Sequence, residues 1–176
     1  GPGLYRIDND DVELIQKTEK MSISAIMRDG PDLIWLSTHS GLYKYNTKIN
    51  KLEIVDGDMS DGSSVVSISR DIHGFLWFIT EDGKLYRCEK SELKEMTKSD
   101  HRFWHGACFD SIGRLWVSSY GMGLYCYDVQ RLQLYDIDYF NANRRINCLE
   151  VGSDDVLWAG VDGGFICYKD SKFEVM

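Results

Sequence analysis

The chain has 176 residues, a formal net charge of −8, 43% hydrophobic and 27% charged residues. That length and composition fit one folded domain or a large part of one, and exclude a disordered chain. The acidic balance, with no basic run to reverse it locally, argues against a nucleic-acid partner, and no apolar stretch approaches the roughly 20 residues of a membrane helix.

The opening Gly1-Pro2-Gly3 reads as the remnant of a removed tag, assigned to residues 1–2. Gly3-Leu4-Tyr5-Arg6-Ile7-Asp8 then matches Gly41-Leu42-Tyr43-Lys44-Tyr45-Asn46 further along, and Val12–Ile15 follows it as a second short strand. From residue 22 onward the chain repeats. Trp35, Trp77, Trp116 and Trp158 are spaced by 42, 39 and 42 residues, each behind an aliphatic residue. Six residues before each stand Asp29, Asp71, Asp110 and, as the departure, Gly152; three before stand Asp32, Gly74, Gly113 and Asp155, which are turn formers. Gly41, Gly83, Gly123 and Gly164 follow, each opening an aromatic-rich segment.

Each unit therefore reads as four strands. The first strands are Ile23–Arg28, Val65–Arg70, Trp104–Phe109 and Ile146–Val151. The second hold the Trp residues, and the third follow the glycines as Leu42–Tyr45, Lys84–Arg87, Leu124–Tyr127 and Phe165–Tyr168. The fourth are Lys51–Val55, Glu92–Met96, Leu132–Ile137 and Phe173–Met176. Short alternating segments bounded by Gly, Asp and Asn are strand signals, and no segment holds helical period over three turns. A 40-residue unit of four antiparallel strands is the length of a β-propeller blade. The expected fold is all-β: four complete blades (22–56, 64–97, 103–138 and 145–176) and the outer half of a fifth (3–17), a partial propeller. A sandwich or barrel would need the four-fold match to be coincidence.

These residues carry a resemblance. The pattern I-x-x-I-x-x-D-x-x-G-x-L-W-x-x-T-x-x-G-L-x-x-Y resembles the two-component regulator propeller repeat. Unit two matches with Val65, Ile68, Asp71, Gly74, Leu76-Trp77, Thr80, Gly83 and Leu85, and unit one with Ile23, Ile26, Asp29, Trp35, Thr38, Gly41, Leu42 and Tyr45. Units three and four drift, with Ser119 and Val161 in place of the threonine. The resemblance implies a periplasmic sensor region of a bacterial hybrid two-component system, responding to oligosaccharides, without catalysis or cofactor. It also implies rings of seven blades, on the order of 290 residues, so the chain reads as a fragment or a truncated relative. The unpaired half-blade and the free outer surfaces of the two terminal blades predict self-association, with two arcs sharing an approximately eight-bladed ring, or cover by neighbouring blades.

By analogy of fold, ligands sit where the fourth-to-first and second-to-third strand loops cluster. His39, Trp104, His105, Tyr120, Phe140, Arg144 and Arg145 are the candidates for a sugar-type site, with aromatic faces against C–H surfaces and forked Arg hydrogen bonds. Trp104 equally fits the hydrophobic column of Ile23, Val65 and Ile146, and the two arginines equally fit a solvated loop. The four ladder Trp residues and the third-strand Tyr residues read as blade packing. His101 and His105 lack the helix and the glutamate of a zinc site, and 56–62 departs from a calcium loop in ligand spacing. Five Cys without C-x-x-C signal neither a disulfide framework nor a zinc ribbon; they follow the repeat as small hydrophobes. No nucleophile elbow, phosphate loop or dinucleotide fingerprint is present. A second resemblance, to streptogramin lyase propellers, implies a magnesium-dependent enzyme with a histidine drawn from His39, His73, His101 and His105. A third reading is a structural module that docks partner domains, marked by a large apolar face.

Overall fold

The computed structural model describes residues 2–55, 64–89, 92–97, 104–119, 123–130, 133–137, 145–169 and 172–175. Among these the structure is all-β apart from one 3-10 turn, Gln16–Thr18. It divides into two compact units, Gly1–Val65 and Val66–Met176.

The first unit opens with a hairpin, β1 (Tyr5–Asp8) on β2 (Asp11–Leu14). Asn9 takes the left-handed conformation at its tip, φ 52°, which Asn tolerates better than most residues. The 3-10 turn ties the hairpin down. Thr18 is fully buried; its hydroxyl donates to the Ile15 carbonyl and accepts the Leu4 N–H at 2.8 Å. A four-stranded sheet follows, built from β3 (Ile23–Arg28), β4 (Leu33–Thr38), β5 (Gly41–Asn46) and β6 (Lys51–Ile54) in that order.

The second unit holds three more four-stranded antiparallel sheets, each in simple up-and-down order. The first is β7 (Val65–Arg70), whose initial residue lies at the border of the units, β8 (Leu76–Thr80), β9 (Leu85–Glu89) and β10 (Glu92–Thr97). Next come β11 (Trp104–Phe109), β12 (Arg114–Ser119), β13 (Gly123–Asp128) and β14 (Gln133–Ile137). The last is β15 (Ile146–Val151), β16 (Leu157–Val161), β17 (Gly164–Lys169) and β18 (Lys172–Val175). The four first strands coincide with their expected ranges. The others differ by one or two residues at an end, where pairing rather than composition sets the limit.

The repeat has a physical explanation at each of its fixed positions. The Asp six residues before the Trp clasps a turn. Asp71 Oδ1 accepts the N–H groups of His73 and Phe75, both at 2.9 Å, and its Oδ2 accepts Trp77 Nε1 at 2.8 Å. Asp110 does the same for Ile112, Arg114 and Trp116, and Asp29 Oδ2 accepts Trp35 Nε1 at 3.1 Å. One carboxylate thus satisfies turn amides and lets an indole go into the core without an orphaned donor. The repeat threonine closes the next turn: Thr80 Oγ1 donates to Asp82 and accepts the Lys84 N–H. The glycine that follows takes positive φ there, 129° at Gly41 and 90° at Gly83, where a side chain would be strained.

Trp77 and Trp116 are each 1% exposed. In the second unit they pack on the neighbouring sheet, Trp77 against Phe109 and Trp116 against Tyr168 at centroid distances of 5.7 and 5.1 Å. Burying an indole removes on the order of 200 Å², or about 5 kcal/mol of transfer free energy at 25 cal/mol per Å². The core of this unit includes, among the described residues, one cluster around Trp77, Ile79, Leu85 and Leu115 and another around Trp116, Leu124, Ile146 and Leu157. The structure thus assigns the ladder Trp residues to packing. Trp158 is the exception: it is half-buried, has Gly152 in place of its Asp, and rests on the exposed Phe165 at 5.8 Å.

Candidate functional site

Every sheet has two ends. At one end lie the turns between first and second strands, which carry the Asp–Trp clasps of Asp29, Asp71 and Asp110. At the other, each first strand begins beside the turn between second and third strands, which is where the candidate ligand residues were expected. A backbone irregularity recurs at this second end. Ile23 pairs with Thr38 but Ala25 with Ser37, so Ser24 is an extra residue in β3. Trp104 pairs with Ser119 but Gly106 with Ser118, leaving His105 extra in β11. Ile146 pairs with Val161 but Cys148 with Gly160, leaving Asn147 extra in β15. Each is a β-bulge, which unpairs one residue and re-aims its side chain. The three bulged residues are all polar.

In the first unit Ser24 Oγ donates to the Val65 carbonyl at 2.9 Å and so accepts from Ser37 Oγ, also at 2.9 Å. His39 lies in the β4–β5 turn, exposed, with Nδ1 3.2 Å from Ser64 Oγ; the ring tautomer sets which group donates.

In the second unit Trp104 is 3% exposed and belongs to the core cluster of Trp77, Ile79, Leu115 and Val117. Its main-chain N–H donates to the Glu81 carbonyl at 3.0 Å, while its Nε1 is buried with no partner among the described residues. The core reading of Trp104 thus describes its surroundings, and the indole N–H is the one part with unused hydrogen-bonding capacity. His105 is half-buried, and Arg145 is exposed immediately before β15. Asn147 Nδ2 donates to Asp162 Oδ1, in the β16–β17 turn, at 3.0 Å. Ser67 Oγ, on β7, donates to the Ala107 carbonyl and accepts the Ala107 N–H, both at 3.2 Å, pinning neighbouring first strands together. Tyr120, Phe140 and Arg144 lie outside the described residues, as does His101.

Of the candidates expected from sequence, His39, His105 and Arg145 stand at this end of their sheets, Asp162 occupies the β16–β17 turn where the loop reading put it, and the hydrogen-bonding Ser24, Ser67 and Asn147 were not among the candidates. The second residue of the first strand is Ser24, His105 and Asn147 in three of the four units, polar as the outward position of any alternating strand would be, so the residue type alone does not announce the bulge. In the first unit this end offers imidazole and hydroxyl functions, from His39 and Ser24, and in the second unit imidazole, amide and carboxylate functions, from His105, Asn147 and Asp162. That inventory suits recognition of a polar, hydroxyl-rich ligand. Among the described residues no group of three His, Cys, Asp or Glu side chains is arranged to hold a metal ion.

The clasp end of the second unit has a concavity that the sequence did not suggest. A cleft of about 250 Å³ is lined by Asp110, Arg114, Trp116, Asp154, Asp155 and Tyr168 among others. Arg114 Nε reaches Asp110 at 2.6 Å and its guanidinium lies 5.1 Å from the centroid of the Trp116 ring. Asp155, at φ 62°, accepts the Ser111 N–H at 2.9 Å, and that backbone hydrogen bond holds its carboxyl below the usual carboxylate range. The charges here are largely spent on one another and on turn amides.

No known protein family matches the sequence, and no curated protein matches it. Solved structures do match in shape. The extracellular domain of a B. thetaiotaomicron protein described as a hybrid two-component system superposes with a TM-score of 0.76 at 16% identity, over 98% of this chain and 27% of that one. A second such domain from the same organism gives 0.70 at 20% identity, over 97% of this chain and 23% of that one. Virginiamycin B lyase from Staphylococcus aureus gives 0.73 at 16% identity, over 88% of this chain and 55% of that one. The chain thus spans about a quarter of the sensor domains and about half of the lyase, and at these identities the likeness is one of fold. The four repeated antiparallel sheets are propeller-type sheets, shared with two-component sensor regions.

Proposed function

We propose that the chain is a non-catalytic, ligand-sensing part of an extracytoplasmic propeller, from a hybrid two-component sensor that responds to oligosaccharides. The observation that carries this reading is the bulge repeated at the start of β3, β11 and β15. A bulge interrupts the ladder, and the same interruption in three sheets, each presenting a polar side chain, is a feature kept for what it displays. In each unit the bulged residue stands at the end where the neighbouring turn supplies a further polar group: His39 in the first, Asp162 in the second. The sensor domains of B. thetaiotaomicron, which share the fold along nearly the whole chain, support the same reading.

The test is a panel of neutral and uronate-containing oligosaccharides assayed by calorimetry and thermal melting. A ligand present at 100 times its dissociation constant stabilises the fold by about 2.7 kcal/mol, a rise in melting temperature of about 5–10 °C. Asn147→Ala and His105→Ala are expected to weaken that binding at least about ten-fold while the unliganded melt moves little. A panel without a single stabilising sugar would refute the reading.

The fold shared with virginiamycin B lyase favours one other reading, a magnesium-dependent lyase. His39 and His105 are at the ligand end, whereas His73 sits in a clasp turn with its N–H held by Asp71. Turnover of quinupristin with magnesium, abolished by His39→Ala or His105→Ala, would establish the enzyme in place of the sensor.

A further inference from the structure

We infer that Trp104 binds an oligosaccharide through its indole N–H, which donates to a hydroxyl or carboxylate oxygen of the sugar. The inference rests on the sensor reading above and adds to it a named donor. Trp35, Trp77, Trp104 and Trp116 are buried, at 1–3% exposure. Three of these indoles donate Nε1 to a carboxylate, Trp35 to Asp29, Trp77 to Asp71 and Trp116 to Asp110, at 2.8–3.1 Å. Trp104 Nε1 is buried too and has no such partner among the described residues.

Packing does not ask for that donor. The first residue of the first strand is Ile23, Val65 and Ile146 in the other sheets, and Val65 and Ile146 are buried as fully as Trp104. An aliphatic side chain therefore fills this place. An indole N–H donates and cannot accept, and a buried donor without an acceptor costs stability. A group kept at such a cost in one sheet alone is explained by a partner that binds there.

Position supports the same partner. Trp104 opens β11 at the proposed ligand end, with its main-chain N–H on the Glu81 carbonyl of the β8–β9 turn. The bulge leaves Trp104 and the half-buried His105 together opposite Ser119, so the indole donor is followed directly by an imidazole. On the neighbouring β15, Asn147 stands at the corresponding place with its amide on Asp162. Tyr127 Oη is also buried and unpaired in this core cluster. Tyr127, however, pairs with Leu115 next to the clasp turn, and its hydroxyl accepts as well as donates. A donor-only group selects oxygen: a hydroxyl or a carboxylate satisfies it, and an ammonium group does not. Because Trp104 is 3% exposed, the sugar oxygen reaches the N–H only through a local opening, which slows association.

The test is Trp104→benzothienylalanine in the 176-residue chain, which keeps the bicyclic ring and puts sulfur where the N–H was. The unliganded variant is expected to melt no lower than the original, with a rise of up to about 3 °C, because an unsatisfied donor has been removed. Its affinity for the neutral or uronate-containing oligosaccharide that the original chain binds is expected to fall at least about ten-fold by calorimetry. A response to neutral sugars identifies a hydroxyl as the acceptor, and a response to uronates alone identifies the carboxylate. An NMR spectrum of nitrogen-labelled indoles in the original chain gives a second reading that does not depend on how the variant folds. The Trp104 signal, identified by its loss in Trp104→Phe, is expected to shift and to exchange more slowly with solvent as sugar saturates. A variant that melts more than about 3 °C below the original has lost a donor that was already satisfied, which overturns the inference. Equal affinity of both chains for the sugar overturns it too, and leaves the sensor reading standing. An original chain that binds no member of the panel overturns the sensor reading and this inference with it.

Discussion

Removing the Asp110 carboxylate is the sharpest test of why the repeat carries an aspartate six residues before its Trp. Asp110 is 4% exposed and accepts from Ile112 N–H at 3.2 Å, Arg114 N–H at 2.8 Å, Arg114 Nε at 2.6 Å and Trp116 Nε1 at 2.9 Å. In Asp110→Ala the Arg114 side chain, 41% exposed, returns to water at little cost. Trp116 cannot follow, because its ring is 1% exposed and its N–H is left buried without an acceptor. A buried donor abandoned in this way costs about 1–3 kcal/mol, and hydrogen bonds to an ionised acceptor about 1.5–3 kcal/mol. Counting the indole in full and the two turn amides as partly rehydrated gives a loss of about 3–5 kcal/mol. For a chain of this length that lowers the melting temperature by roughly 10 °C. Urea unfolding followed by tryptophan fluorescence, with circular dichroism as a second probe, measures it. Asp71→Ala, which orphans Trp77 in the same manner, should fall in the same range. A loss below about 1 kcal/mol at both positions would mean that the indoles find other acceptors, and the account of the repeat would be wrong.

The fourth sheet provides the converse experiment. A Cβ at Gly152 would stand 3.4 Å from Trp158 Nε1 but 2.7 Å from Asp154 Oδ1, the end of a side chain that can rotate away. Gly152→Asp alone should therefore be near neutral, and Gly152→Asp with Asp154→Ser should gain about 1 kcal/mol, read as a rise of roughly 3 °C in the melting temperature. The cysteines give a pH-dependent prediction. Burial pushes the Cys108 thiol up to about 12 and the Cys126 thiol up to about 11, while Cys148 is exposed. Iodoacetamide at pH 8 should label Cys148 first and reach Cys108 and Cys126 only on unfolding, as mass spectrometry of the digested protein would show. Because both folded values lie above the ordinary thiol value of 9.0, the unfolded chain releases these protons first. Stability should be whole below about pH 9 and decline as the pH rises towards 12.

The fold was legible because the chain states it four times. A single Trp or a single Gly-Leu-Tyr segment is weak; the same residues at intervals of 42, 39 and 42 locate strands almost to the residue. Clasp, turn threonine and positive-φ glycine are local devices, each written within a few neighbouring positions, and local devices survive in sequence. The bulges are not local. Whether Ser24 is paired or extra depends on how β3 registers against β4, ten residues away, and nothing between Ile23 and Ala25 announces it. Trp104 was ambiguous for a related reason: the first position of the first strand is both a core column and the start of the end proposed here for a ligand, and the structure shows the ring in the core with its N–H unspent. A repeat constrains what every sheet must share, namely packing and turns, so residues serving those ends recur. Recognition, as proposed for this chain, would have to distinguish one sheet from the next and so is expected where the repeat is broken. Ser24, His105 and Asn147 share a backbone position and differ in chemistry. On this reasoning an exchange among those three should leave the melting temperature nearly unchanged and alter ligand preference.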